Sequence, residues 1–408
     1  MKCRFCQAEL QHEFIDLVNA PPSNSFITKE QLNQPEIYYP LRLYVCEKCF
    51  LVQIDEYKKA TEIFNCEYIY FSSISTTWLE HCKEYANKMT AEFGINENSF
   101  IVEIASNDGY LLQYFKEKGL RVMGIEPSTS TAKIAKEKGI ETVEAFFGVN
   151  FAKQLAVKDK KADLLIGNNV LAHVPEINDF VEGLRIVLKP DGIITLEFPH
   201  LMQLINNNQF DTIYHEHYSY LSFSTVNRIF QSHRLQLFHV EELPTHGGAL
   251  RIFAKHISSG VNAIRNTVNE MLEKEKIVGM NNLLFYKGFD KKVSRVKLNF
   301  LEFLMKSKNE GKKLSAYGAA AKGNTLLNFC GVKNDWIDYV VDNAVSKQGK
   351  FLPGSHIPIV AEAEIKRTKP DYIVILPWNI VSEIEMQLNY VREWNGKFVT
   401  AIPHLMIF

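Results

Sequence analysis

Tyr214-His215-Glu216-His217 sets a phenol, a carboxylate and two imidazoles side by side within the stretch FDTIYHEHYSY (210–220). Few other stretches of this chain hold titratable groups so densely, and such density is what acid–base chemistry draws on. The alternative use is a polar connector whose rings pack on a core and whose charges are solvated. Position favours chemistry, because an α/β stretch with the features of a nucleoside site precedes the cluster and a second α/β stretch with a different small-residue turn follows it.

A second set of chemical residues opens the chain. Cys3-Arg-Phe-Cys6 and Cys46-Glu-Lys-Cys49 are two CxxC knuckles, each able to present two thiolates to one face of a turn. Together they complete a four-thiolate zinc site with no open position for water or substrate, which marks it as structural. Residues 7–45, with the turn Pro21-Pro22-Ser23-Asn24, loop out between the knuckles as a small subdomain. Cys66, Cys82 and Cys330 stand apart and are expected as buried fillers. The N-terminus lacks the apolar stretch of a signal peptide and no apolar run reaches 18 residues, so a cytoplasmic protein is expected, with thiols kept reduced. With 46 basic and 47 acidic residues the net charge is −1, and neither a nucleic-acid nor a membrane partner is implied. Hydrophobic residues make up 46% of the 408, enough for two or three cored domains; the oligomeric state is left open.

Periodicity supplies the secondary structure around these groups. Before the first α/β unit, Tyr68, Tyr70, Ser72 and Ser73 lead into a helix with Trp78, Cys82 and Tyr85 at helical spacing, where the aromatics staple the helix to the next domain. Residues 100–200 then alternate strands and helices, the pattern of a parallel sheet covered on its faces. Strand FIVEIA (100–105) runs into Ser106-Asn107-Asp108-Gly109 and a helix at 110–119, and a second strand (121–128) carries Glu126 and Pro127 at its end. An acidic residue some twenty positions beyond the first loop is where such folds bond the ribose of a nucleoside cofactor. Glu103, Ala105, Asn107 and Gly109 occupy the alternating positions of the acidic-x-Gly-x-Gly-x-Gly turn of S-adenosylmethionine (SAM)-dependent methyltransferases, with two of its three glycines replaced. Ala105 still permits close backbone approach, and Asn107 tolerates left-handed angles. Strand 162–170 ends in Asn168-Asn169, a helix covers 178–189, and Pro190-Asp191-Gly192 turns into strand 193–199. Because ligands sit at the carboxyl ends of strands in open α/β sheets, Glu103–Gly109, Glu126 and Asn168–His173 are expected around one crevice.

Beyond residue 236, HGGALRIFAKH (246–256) combines a Gly-Gly turn with a strand and offers His246 and Arg251 to a phosphate or sugar oxygen. An amphipathic helical region at 259–310 is expected to pack between the two α/β domains. The second unit starts with strand KLSAYG (313–318), then Ala319-Ala320-Ala321-Lys322-Gly323-Asn324, a small-residue turn at a helix N-terminus able to hold a phosphate on its amides. Its next strand ends in Asp342.

Taken together, EIASNDGYLL (103–112), NNVLAHV (168–174), YHEHYSYL (214–221) and HGGALR (246–251), preceded by the paired knuckles, resemble the nucleotide-sugar C-methyltransferases of the tetronitrose-biosynthesis type. The likeness covers nearly the whole chain. It implies an α/β protein of three parts: a zinc-binding domain (1–66), a Rossmann-like class I methyltransferase domain (67–235) and a Rossmann-like C-terminal domain that binds the nucleotide sugar (236–408). It further implies SAM and structural zinc as cofactors, and methylation at carbon 3 of a nucleotide-linked 4-keto-deoxysugar. The carbon next to a ketone loses its proton only if the enolate is stabilised, so a base and oxyanion donors are needed. By motif position the resemblance makes His217 the base, Glu216 its orienting or tuning partner, and Tyr214 and His173 the oxyanion contacts, with Tyr68 a further member; His215 is left structural. Glu103, Ala105, Asn107, Asp108, Gly109, Glu126, Pro127, Asn168 and Asn169 are then expected at SAM, and His246, Arg251, Gly318, Lys322, Asn324 and Asp342 at the sugar nucleotide. The alternatives are N- or O-methylation of a nucleotide sugar, a nicotinamide-dependent sugar oxidoreductase, against which the missing G-x-G-x-x-G counts, and a zinc-bearing scaffold.

Overall fold

A computed structural model describes residues 1–64 and 71–408. The expectations for Tyr68 and Cys66, and the boundary at 66/67, lie outside the described residues.

The N-terminal part is built on an antiparallel sheet of His12–Ala20, Tyr39–Val45 and Val52–Ile54. In its middle strand Leu41, Leu43 and Val45 are buried while Arg42 and Tyr44 point outward, the period of two that a one-sided sheet requires. A fourth strand comes from far along the chain: Ser219–Tyr220 pairs with Val52 and Gln53, so the segment just after His217 is part of the zinc-bearing sheet.

The central sheet has seven strands in the order Leu235–Leu243, Ala249–His256, Leu188–Pro199, Ala162–Asn168, Phe100–Ile104, Arg121–Ile125, Thr142–Val143. Phe100–Ile104 is buried at every position, as a parallel strand covered on both faces must be. Chain order reverses between Phe100–Ile104 and Ala162–Asn168, which places the ligand crevice at their carboxyl ends. Leu235–Leu243 and Ala249–His256 pair into this sheet although they follow the expected boundary at 235/236. The Pro190-Asp191-Gly192 turn is a bulge inside one strand, Leu188–Pro199, because pairing with the neighbour jumps from Leu188 to Ile193.

The third sheet runs Ile359–Val360, Val340–Val341, Leu314–Tyr317, Tyr372–Ile375, Lys397–Thr400, Met406–Ile407, parallel except for its last strand. The helical region before it divides into Asn266–Ile277, Leu283–Tyr286 and Phe289–Asn309, with Gly279 and Gly288 at left-handed angles in the breaks. The longest helix buries Phe289, Val293, Val296, Phe300 and Leu304 at helical spacing. It packs on the zinc-bearing sheet, with the Phe289 and Phe14 rings stacked at 5.1 Å, and on helix Ala321–Cys330 of the third sheet's domain. Among the described residues no helix is long and apolar enough to cross a membrane.

Candidate active site

The sulfurs of Cys3, Cys6, Cys46 and Cys49 lie within 4.8 Å of one another, with Cys3 to Cys49 at 3.5 Å and Cys6 to Cys46 at 3.4 Å. Four thiolates converging at this spacing fit a tetrahedral zinc ion with Zn–S bonds of about 2.3 Å. All positions are filled by protein, so the zinc is structural.

At the carboxyl end of Phe100–Ile104 the chain turns through Ala105 (φ 57°), Asn107 (φ 49°) and Gly109 (φ 75°), all left-handed. These are the alternating positions of the glycine-rich turn, and the backbone keeps the glycine conformation although two glycines are gone. At Gly109 the requirement is strict, since a Cβ would come within 2.4 Å of the Ile140 Cδ1 atom. Ala105 holds the conformation at a steric cost, so Ala105→Gly is expected to raise unfolding free energy by about 1 kcal/mol, read from denaturant melts. The Glu126 carboxylate secures the turn by accepting from the Asn107 amide and the Ser128 amide, both at 2.9 Å. Burial raises its proton affinity and these two amides oppose that.

This turn forms one wall of a cavity of about 970 Å³, where Ala105, Asn107, Glu126, Pro127, Asn168 and Asn169 are all exposed to the interior. Asn168 is 5% exposed and its side-chain amide finds no partner at either end among the described residues, an orphaned pair suited to a polar ligand. Three expected SAM contacts lie behind the wall instead. Glu103 is fully buried under the turn, its carboxyl pushed well up by desolvation with Tyr110 working against that; Asp108 is bonded by Ser73; Gly109 packs toward Ile140. Glu126→Ala removes both amide acceptors, and calorimetry should show SAM affinity falling by about tenfold or more.

The opposite wall carries the YHEH stretch. The His217 Nδ1 atom lies 3.0 Å from the Thr212 carbonyl oxygen. A carbonyl only accepts, so Nδ1 carries the proton and Nε2 keeps its lone pair. The Tyr214 ring centroid is 4.1 Å and that of His173 4.6 Å from His217. Burial first, then the neighbouring His173, His246 and Lys322, holds His217 well below the ordinary imidazole value, and burial takes His173 to about 4. Glu216 also lines the cavity, but it makes no hydrogen bond to His217; the orienting group is the Thr212 carbonyl. Its Oε1 accepts from the Asn24 amide at 2.7 Å, and burial pushes its carboxyl up to about 7. His215 points elsewhere, toward the Pro40 carbonyl at 3.2 Å and the rings of Tyr39 and Tyr57.

Three family models match the chain in order: a zinc binding domain at 3–64, a methyltransferase domain at 78–240 and a C-methyltransferase C-terminal domain at 244–403. The C-methyltransferase NovU of Streptomyces niveus is 32% identical over 402 residues, covering 98% of this chain and 95% of that protein. The chain belongs to the C-methyltransferase family. The ubiquinone biosynthesis O-methyltransferase of Histophilus somni is 26% identical over 131 residues, 30% of this chain and 50% of that protein. A crystal structure of magnesium protoporphyrin IX methyltransferase from Synechocystis PCC 6803 with bound SAM aligns at a TM-score of 0.33 and 14% identity, over 43% of this chain and 78% of that one.

The C-terminal domain closes the cavity. Lys322 reaches it from the start of helix Ala321–Cys330, its amine 2.6 Å from the Asn379 Oδ1 atom and 4.6 Å from the Trp378 ring centroid. The Trp378 indole donates to Asp211 at 2.7 Å, tying this domain to the stretch that carries His217. His246 lines the cavity beside Asn169 (3.0 Å) and Trp78 (ring centroids 5.2 Å apart). Four expected substrate contacts do not line it. Arg251 is 4% exposed and committed to Glu197 (2.7 Å) and Glu241 (3.0 Å), because its strand lies inside the central sheet. Gly318 packs on Pro377, Asn324 is buried in its helix, and Asp342 accepts from the Ala319 and Ala344 amides. Conversely, Asn24 and Trp78 line the cavity of the C-methyltransferase although no sequence motif assigns them to it, and Asn379, just past the end of strand Tyr372–Ile375, lines it too. In the sequence Asn24 shows only as part of a turn and Trp78 only as a helix staple.

Proposed function

We propose that this enzyme methylates carbon 3 of a nucleotide-linked 4-keto-deoxysugar through a base-generated enolate, as a cytoplasmic step of deoxysugar biosynthesis. The observation that carries this reading is the shared cavity. Its volume of about 970 Å³ lies at the upper end of the ~300–1,000 Å³ range of small-molecule sites, leaving room for two cosubstrates. Its walls come from the SAM turn, the YHEH stretch and the start of helix Ala321–Cys330, so donor, base and sugar nucleotide meet in one space.

The division of labour follows from the protonation states. His217, neutral with its Nε2 lone pair exposed to the cavity, takes the proton from carbon 3. Tyr214 and His173, packed against its ring, face the ketone oxygen where negative charge develops. The sulfonium of SAM supplies an activated methyl group, so the carbanion needs no further electrophile. The Lys322 ammonium favours negative charge in the cavity and disfavours protonation of His217 and His246. Methylation at oxygen or nitrogen would need a base but no enolate. Incubation with labelled SAM and a panel of 4-keto sugar nucleotides, with the methyl located by NMR, tests the reading. The expected product carries it on carbon 3; a methyl on oxygen or nitrogen would overturn the proposal.

A further inference from the structure

The zinc-bearing domain does more than flank the site. Its Pro21-Pro22-Ser23-Asn24 turn reaches across the chain to Glu216, where the Asn24 Nδ2 atom donates to Oε1 at 2.7 Å. Both residues line the cavity, and Glu216 is 4% exposed. The same domain is stitched to the same loop a second time, three residues on, where Val52–Ile54 pairs with Ser219–Tyr220.

We infer that Asn24 is a positioning residue for the reaction: through its amide the zinc-bearing domain holds the Glu216 carboxylate in place and in its ionised form at the edge of the substrate cavity. The inference rests on the reading of Glu216 as part of the reaction centre. An N–H donated to a carboxylate oxygen favours the charged form, while burial favours the neutral one. Among the described residues the groups acting on Glu216 are few. Lys58 adds a favourable charge, Tyr218 is a neutral phenol on the following turn, and His173, held neutral by burial, uses the Glu216 backbone. Among the described residues, Lys58 aside, Asn24 is the partner that opposes desolvation, and the balance leaves the carboxyl pushed up to about 7. A group so balanced serves proton traffic at neutral pH. Its balance depends on a side chain supplied by a different domain.

The test separates the Asn24 link from the role of Glu216. A pH titration of carboxyl infrared bands, taken as the difference between wild type and Glu216→Gln, isolates this carboxyl without substrate. In Asn24→Ala its midpoint should move upward by roughly a pH unit, the worth of one hydrogen bond to a charged group. Asn24→Asp keeps the shape and replaces the donor by a second carboxyl, so it should move the midpoint further, and it serves if the alanine variant is poorly folded. The acid limb of kcat should shift upward in parallel, with zinc content unchanged. A midpoint and acid limb equal to wild type in both variants would overturn the inference. If the midpoint moves but Glu216→Gln keeps the full wild-type pH profile, the link stands as structure only and the catalytic part of the inference fails.

Discussion

His217→Asn is expected to lower kcat by roughly 10²–10⁴-fold, the usual worth of a positioned general base, while leaving SAM affinity within about twofold. Asparagine is smaller than histidine, but its amide nitrogen can take the place of Nδ1 and still donate to the Thr212 carbonyl that fixes the imidazole at 3.0 Å. What disappears is the Nε2 lone pair. The SAM turn is anchored separately by Glu126, so donor binding should survive. The sign of the pH dependence comes from the depressed proton affinity of His217. Its neutral form is already complete above the ordinary imidazole value, so titration of this residue does not limit the rate in the neutral range. If Glu216 takes part in the reaction, its carboxyl, pushed up to about 7 by burial, is expected to set the acid limb as it loses its charge with falling pH. Incorporation of solvent deuterium at carbon 3 of a 4-keto sugar nucleotide measures the step directly. Exchange at the wild-type rate in His217→Asn would assign the base elsewhere.

The parts legible in the sequence were those whose signal is local. Two CxxC knuckles announce a metal site wherever the intervening residues go, and alternating hydrophobic strands announce a parallel sheet with its crevice at the strand ends. The degenerate turn was legible for a backbone reason: Ala105 and Asn107 adopt the angles that glycine would. What local pattern does not carry is which distant residue completes a contact. Adjacency makes Glu216 the expected partner of His217, yet the His217 partner is a carbonyl five residues back and the Glu216 partner lies in another domain. Arg251 reads as a free cation beside a glycine turn, but its strand sits inside the central sheet between Glu197 and Glu241, whose charges require it. That the strands after 235 pair into the central sheet is hidden for a related reason. A strand that closes a sheet far behind it looks, in sequence, like the start of the next domain.

Removing zinc, by Cys46→Ser or by chelation, is expected to cost several kcal/mol of stability and most of the turnover, with SAM affinity kept within about twofold. Zinc at closed four-thiolate sites contributes on the order of 10 kcal/mol of apparent binding free energy, available only to the folded chain. Here the ion joins the two ends of the small sheet. Cys46 directly follows strand Tyr39–Val45, and Cys3 receives the Gln53 amide at 3.2 Å. Gln53 is also where the strand Val52–Ile54 meets Ser219, two residues beyond His217. The next residue, Tyr220, accepts from the Tyr214 amide at 3.3 Å. Loss of the ion therefore loosens the strand that frames the base and the turn that brings Asn24 to Glu216, while the SAM turn belongs to a different sheet with its own carboxylate anchor. Melting followed by calorimetry should show an early transition in the metal-free protein, with readdition of zinc restoring both that transition and kcat. A metal-free protein that turns over at the wild-type rate would show that the zinc-bearing sheet and the catalytic loop are energetically independent despite their shared strand.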